Sequence, residues 1–304
     1  MDLRGIVIYG DNADFFELLP DECVGLIYID PPFNTGKVQR KITIKTSAVG
    51  SSESVVQNSN LRTGFGGKTY STEIISEKSY IDKFDDYVGF LTKRLQEAHR
   101  VLKENGSIYL HIDYREVHRC RFLLDEIFGE ENFLNEIIWA YDYGGRHKDR
   151  WPIKHNNILY YAKKAGKHIF NYDEIDRIPY MAPGLVGPEK AAKGKVPTDV
   201  WWMTIVQTNS SEKTGYPTQK PIKLLERIIR ASSREGDIVL DFFAGSGTTG
   251  HAAIKLNRKF ILVDNNPEAI NVMKNRFKEY EKNIEFLSLY DNRKSVKDRI
   301  EHLL

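Results

Sequence analysis

Apolar and polar positions fall into blocks that switch between strand-like and helix-like spacing. Short apolar runs at Gly5–Tyr9, Leu26–Ile29, Ser107–Ile112, Glu136–Ala140, Asn157–Tyr161, Ile238–Asp241 and Phe260–Val263 read as seven strands, with Ile284–Leu289 an eighth candidate at an edge. Helical spacing appears over Asp14–Leu19, Phe84–Lys103, Tyr114–Phe128, Thr218–Ser233, Thr248–Leu256 and onward from Asn266-Pro267. Asn105-Gly106 supplies a stop for the helix that opens at Phe84. Strands alternating with helices predict an α/β fold with a mostly parallel sheet covered on both faces. Glu136–Ala140 and Asn157–Tyr161 are spaced like a hairpin with a long connection.

Two stretches break the pattern. Lys37–Ser79 shows no clear periodicity and is rich in Ser, Thr, Gly and Asn, so it reads as a mobile lid or a disordered loop. Gly166–Gly215 is interrupted by Pro179, Pro183, Pro188 and Pro197 and reads as a small inserted module. Its pair Trp201-Trp202 reads as core before it reads as a stacking platform. The expected organisation is a main domain of residues 1–36, 80–163 and 216–304, a lid of 37–79 and an insertion of 164–215.

Composition changes this picture little. The 304 residues, 41% hydrophobic and 28% charged, are ordinary globular values, and a net charge of +2 demands no polyanionic partner. Any nucleic-acid surface must therefore be local. Lys37, Arg40, Lys41 and Lys45 make one basic cluster. Tyr143, Arg146, Lys148, Arg150 and Lys154, with Tyr141 and Trp151 interleaved, make another suited to phosphates and bases. No apolar stretch approaches the ~18 residues of a membrane span, so no membrane partner is expected. Two cysteines form neither a disulfide framework nor, with the scattered histidines, a metal motif, and the chain reads as cytoplasmic.

The chemistry concentrates in two places. Asp30-Pro31-Pro32-Phe33-Asn34-Thr35-Gly36 follows directly on the strand Leu26–Ile29. Each proline lacks an N–H and restricts the residue before it, so a carboxylate and bare carbonyls are held at the strand's C-terminal edge. Two acceptors and the aromatic face of Phe33 suit a flat ring bearing an exocyclic NH2. Far downstream, Gly245, Gly247 and Gly250 fit GxGxxG between a strand and a helix, and Asp264 ends the next strand, placed for ribose hydroxyls.

Together these residues resemble the β group of DNA amino-methyltransferases that use S-adenosylmethionine. Asp30–Phe33 resembles that family's DPP[YF] catalytic box, Asp241–Gly247 its FxGxG loop, and Tyr216–Pro221 its TQKP segment. The box precedes the loop, the circularly permuted order of the β group. The resemblance implies a Rossmann-like methyltransferase fold and a small target-recognition insertion. It implies transfer of a methyl group to N6 of an adenine flipped out of double-stranded DNA, with Asp30, Pro31, Pro32 and Phe33 catalytic and no metal ligands. By resemblance Asp11 contacts the cofactor adenine, although a helix cap accounts for it equally well. Asp241, Phe243, Ala244, Gly245, Gly247 and Thr248 would line the cofactor, Asp264 the ribose, and Thr218, Gln219 and Lys220 the methionine carboxylate. A companion restriction endonuclease and a homodimer both remain open.

Cytosine N4 is the alternative target, though Asp rather than Ser at the head of the box favours adenine. Methylation at cytosine C5 needs a cysteine, generally after proline, whereas Cys23 follows Glu22 and Cys120 follows Arg119. A nicotinamide-dependent dehydrogenase would explain Gly245–Gly250 but leave Asp30–Gly36 without a role.

Overall fold

The computed structural model describes residues 3–35, 37–48, 60–63, 69–82, 84–207 and 209–304. The chain opens with β1 (Gly5–Tyr9), α1 (Asn12–Phe16) and β2 (Val24–Ile29), followed by β3 (Lys37–Ala48), β4 (Asn60–Thr63) and β5 (Thr69–Asp82). Next come α2 (Tyr87–Val101), β6 (Leu102–Ile112), α3 (Val117–Phe128), β7 (Phe133–Ala140), β8 (His155–Ala162), α4 (Pro188–Lys193) and β9 (Val200–Trp202). Then follow α5 (Ile222–Ser232), β10 (Ile238–Asp241), α6 (Thr248–Lys255), β11 (Lys259–Asp264), α7 (Pro267–Arg276), β12 (Ile284–Ser288) and α8 (Arg293–Leu303). There are two compact units, Met1–Phe33 with Asp86–Leu304, and Asn34–Asp85.

The larger unit is built on a nine-stranded sheet in the order β12-β1-β11-β10-β2-β6-β8-β7-β9. Only β8 runs against its neighbours, and every other pairing is parallel. The seven strands expected from the sequence lie side by side in the middle, and β12 and β9 extend the two edges. The parallel strands therefore end at one common edge, and the segments after β1, β2, β7, β10 and β11 all emerge there.

Burial on both faces explains the near-continuous apolar runs. Consecutive residues of β8 show the two sides. Tyr160 reaches Ser232 of α5 at 3.2 Å, whereas the Tyr161 hydroxyl donates to Asp125 of α3 at 2.5 Å. Leu224, Leu225, Ile228 and Ile229 give α5 a fully buried stripe, each side chain contributing about 1.5–3 kcal/mol over its exposed state.

Several elements differ from the sequence reading. The described residues within 37–79 are strands: β3, β5 and β4 form an antiparallel sheet in that order, with Lys37 paired to Asp82 and Ala48 to Tyr70. Val49, Val55, Val56 and Phe65 of that stretch, like Gly36, lie outside the described residues. Residues 166–215 belong to the larger unit and supply β9 to its sheet. They are tied to α5 by an Arg227–Asp176 ion pair at 2.6 Å and by Asn171 Nδ2 donating to the carbonyls of Arg230 and Ser233, both at 2.8 Å. The tryptophan pair splits, with Trp201 buried in the core and Trp202 76% exposed.

Helix α2 stops at Leu102, where the backbone becomes extended, so Asn105-Gly106 falls within β6 instead of ending the helix. The β2–β6 register jumps between Val24 and Leu26 to absorb the extra residues. Helix α8 is an element the sequence reading lacks. Finally, α5 starts at Ile222 with Pro221 as its cap, which leaves Thr218, Gln219 and Lys220 in the turn before it. Among the described residues no helix is long and apolar enough to cross a membrane.

Candidate active site

The glycine turn comes first, because backbone alone shapes it. Gly247 caps α6 at φ +71°, in the left-handed region that side chains rarely adopt, and a Cβ there would lie 2.7 Å from Met273 Cγ. At Gly250 a Cβ would stand 2.8 Å from Leu262, so this third glycine seats the helix on the sheet. Asp241, at the end of β10, accepts from Phe243 N at 3.0 Å and Thr249 Oγ1 at 2.6 Å. Asp264, at the end of β11, accepts from Gly245 N at 2.7 Å and Asn266 N at 2.8 Å. Burial is the main cause that pushes both carboxyls up, Asp241 to about 7 and Asp264 to about 6, against the pull of these hydrogen bonds. Two acids thus stand at adjacent strand ends beside a left-handed glycine turn, at the edge that the sequence points to.

Asp11 follows β1 and caps α1 by accepting from Ala13 N at 2.7 Å. It also pairs with Arg94 at 3.3 Å, whose guanidinium lies 3.9 Å over the Phe90 ring, and Phe90 in turn meets Phe243 at 6.0 Å. Its role as a cap is thus visible, and Arg94 and Phe90 link it to Phe243 of the glycine turn.

At the end of β2, Pro31 is buried and the Pro32 carbonyl accepts from the Tyr87 hydroxyl at 2.6 Å, which fixes the box against α2. Lys220 donates to Asp30 Oδ2, while Asp30 Oδ1 is buried with no hydrogen-bond partner among the described residues. Burial holds the Asp30 carboxyl above its ordinary range, and Lys220 beside it pulls the other way. Phe33 lies 5.5 Å from the Lys220 ammonium and stacks on His111 at 5.9 Å and 26°.

His111 is a residue that the sequence reading did not single out. It is fully buried on β6, with Nδ1 2.8 Å from the Tyr28 hydroxyl and Nε2 3.1 Å from Asn156 Nδ2. Burial, then the charge of Lys220, drives its pKa well below the usual imidazole value, so it is a neutral support beneath Phe33. The available signal was the polar series Ser107, Tyr109, His111 on one face of an otherwise apolar strand.

The TQKP segment makes its contacts within the chain. Gln219 spends its amide inside its own turn: Oε1 accepts from Thr214 N at 2.9 Å and Nε2 donates to Glu212 O at 2.7 Å. Lys220, assigned by resemblance to the methionine carboxylate, is on Asp30. Thr218 sits at φ +58° and offers its carbonyl to Lys220 Nζ at 3.2 Å.

Of the residues expected to meet DNA, Tyr143, Arg146, Lys148 and Arg150 are exposed on the connection after β7, at the same sheet edge as the box. Lys154 braces that connection by donating to the carbonyls of Gly144 at 2.6 Å and Gly145 at 3.0 Å. Lys37, Arg40 and Lys41 lie on β3 of the smaller unit.

A buried acceptor with no donor among the described residues and an aromatic ring close by in the chain lie at the same sheet edge as the glycine turn. Residues 24–275 match the N6_N4_Mtase family of DNA methylases, and the chain belongs to that family. It is 31% identical over 279 residues to the DNA adenine methyltransferase YhdJ of Escherichia coli K12, covering 88% of this chain and 80% of the relative. Among solved structures, the PvuII cytosine-N4-specific DNA methyltransferase superposes with a TM-score of 0.62 at 17% identity, over 96% of this chain and 97% of that one. The M1.HpyAVI–SAM complex gives 0.55 at 22% identity, over 90% and 98%. At these identities the two structures speak to the fold.

Proposed function

We propose that this DNA methylase transfers a methyl group from S-adenosylmethionine to N6 of an adenine turned out of double-stranded DNA. The observation that carries the reading is Asp30 Oδ1, a buried acceptor with no partner among the described residues, on the carboxylate whose other oxygen binds Lys220, itself 5.5 Å from the Phe33 ring centroid. The N6 lone pair is delocalised into the ring, so the amine is a weak nucleophile. Asp30 and the Pro31 carbonyl accept its two hydrogens, favour a pyramidal nitrogen and free the lone pair, while Phe33 stacks on the base. A base inside a duplex cannot reach this pocket and must leave the stack first.

The residues at the glycine turn have the chemistry the cofactor needs. The left-handed Gly247 keeps side chains out of the turn, and each carboxylate oxygen of Asp264 keeps a second lone pair for a ribose hydroxyl. We assign Asp241, Phe243, Ala244, Gly245, Gly247 and Thr248 to the lining of that site and Asp11 to its rim. When bound, the cofactor supplies a methyl group already activated by a sulfonium. Arg146, Lys148 and Arg150 with Tyr143, and Lys37, Arg40 and Lys41, are assigned to DNA, and residues 164–215 to reading the target. Two free cysteines accord with a cytoplasmic setting. Nucleoside mass spectrometry of duplex DNA methylated by the purified protein is the test. N6-methyladenine is the expected product, and N4-methylcytosine would overturn the choice of base.

A further inference from the structure

The Asp30–Lys220 pair joins residues 190 positions apart and is oriented by both its surroundings and its chain. The left-handed turn at Thr218 and the cap Pro221 fix the backbone on either side of Lys220. Nζ is held by Asp30 Oδ2 and by the Thr218 carbonyl at 3.2 Å, and lies 5.5 Å from the Phe33 ring centroid. Only 8% of Lys220 is exposed, so the pair is largely shielded from water and salt. One carboxylate oxygen is thereby taken and the other is not.

We propose that Lys220 is a positioning residue for Asp30: by occupying Oδ2 it keeps the carboxylate charged and in one rotamer, which reserves Oδ1 for the incoming amine. This rests on the reading of Asp30 as the amine acceptor. The other groups facing the pair do not substitute for Lys220. Tyr28 on β2 and Asp241 on β10 are both disfavoured as anions by the Asp30 charge, and His111 on β6 is kept neutral by burial and by Lys220. Removing Lys220 leaves a buried carboxylate opposed by burial and by like charge, and it then ionises only at higher pH. The role differs from a hold on the methionine carboxylate, which would take Lys220 away from Asp30.

The test is single-turnover methyl transfer at saturating DNA and cofactor across the acid range, with cofactor affinity measured by calorimetry on the same samples. In K220M the acid limb of the rate should move up by about 1–3 pH units, with cofactor affinity close to that of the wild type. K220R, which restores a fixed cation, should return the limb towards its original position. K220Q keeps a donor without the charge and should show a smaller shift; it carries the test if circular dichroism shows K220M unfolded. An unmoved limb together with a large loss of cofactor affinity would overturn the proposal and make Lys220 a cofactor ligand. An unmoved limb with unchanged affinity would overturn it as well. D30A separates the underlying reading: if D30A still methylates DNA, Asp30 is not the acceptor, whatever K220M does.

Discussion

The two halves of the active edge are made of different material. Around β10 and β11 the polar groups close on themselves through the main chain: Asp264 holds Gly245 and Asn266, and Asp241 holds Phe243 and Thr249. Around β2 and β6 the contacts run between side chains from distant segments, and one carboxylate oxygen has no partner among the described residues. The first half is a shape, set before anything binds. The second is a charge with one acceptor that the described residues leave for a donor from outside. This division suits a cofactor held by geometry and a base held by chemistry.

The sharpest way to break that contrast is to remove the charge alone. Asp30→Ala should lower methyl transfer by about 10²–10³-fold, the range for losing one preorganised polar contact at a reacting centre. Cofactor binding should stay close to wild type, because no group of the glycine turn is touched. A tritiated-methyl assay and calorimetry on one preparation measure both. Activity within about tenfold of wild type would remove Asp30 from the chemistry.

Changing the shape should do the reverse. Gly247→Ala forces a Cβ onto a residue at φ +71° and against Met273 Cγ at 2.7 Å. Met273 is flexible and can give way, but the backbone cost stands, so a loss of about 1–3 kcal/mol is expected in denaturant melts, with weaker cofactor binding. A variant within about 0.5 kcal/mol of wild type would show that the turn does not need its left-handed residue.

The same contrast explains what the sequence made readable. Gly247 and Asp264 were legible because local backbone geometry demands a glycine at the cap and an acid at the next strand's end. The Lys220–Asp30 contact was not, since nothing in either segment encodes a partner 190 positions away. His111 was hidden by the buried strand that carries it. The sheet of Asn34–Asp85 was missed for a different reason: Thr43, Thr46, Thr63, Thr69 and Thr72 are β-formers that hydropathy counts as polar. At three residues, β9 is too short to leave a period at all. The insertion became part of the main unit through Arg227 and Asn171, whose partners lie 51, 59 and 62 positions away.

A pH-dependent effect probes how the cofactor half tolerates its own acids. Asp241 is buried, and its carboxyl is pushed up to about 7 from an ordinary 3.8, first by burial and then by Asp30 and Asp264. A group whose folded pKa lies above its unfolded value favours the folded state fully at low pH and loses that contribution as pH rises through the folded pKa. Asp241→Asn removes the titration and keeps an acceptor for Phe243 N, and the Thr249 hydroxyl can turn to accept from the new amide. The melting temperature of the wild type should therefore fall relative to the variant as pH rises from about 4 through about 7 and then run parallel. A drift of at least about 2–4 °C is expected, the size of a ~1 kcal/mol change in a large domain. A constant difference across that window would mean that Thr249 and Phe243 hold Asp241 ionised throughout, and that the site carries a fixed negative charge towards its cofactor.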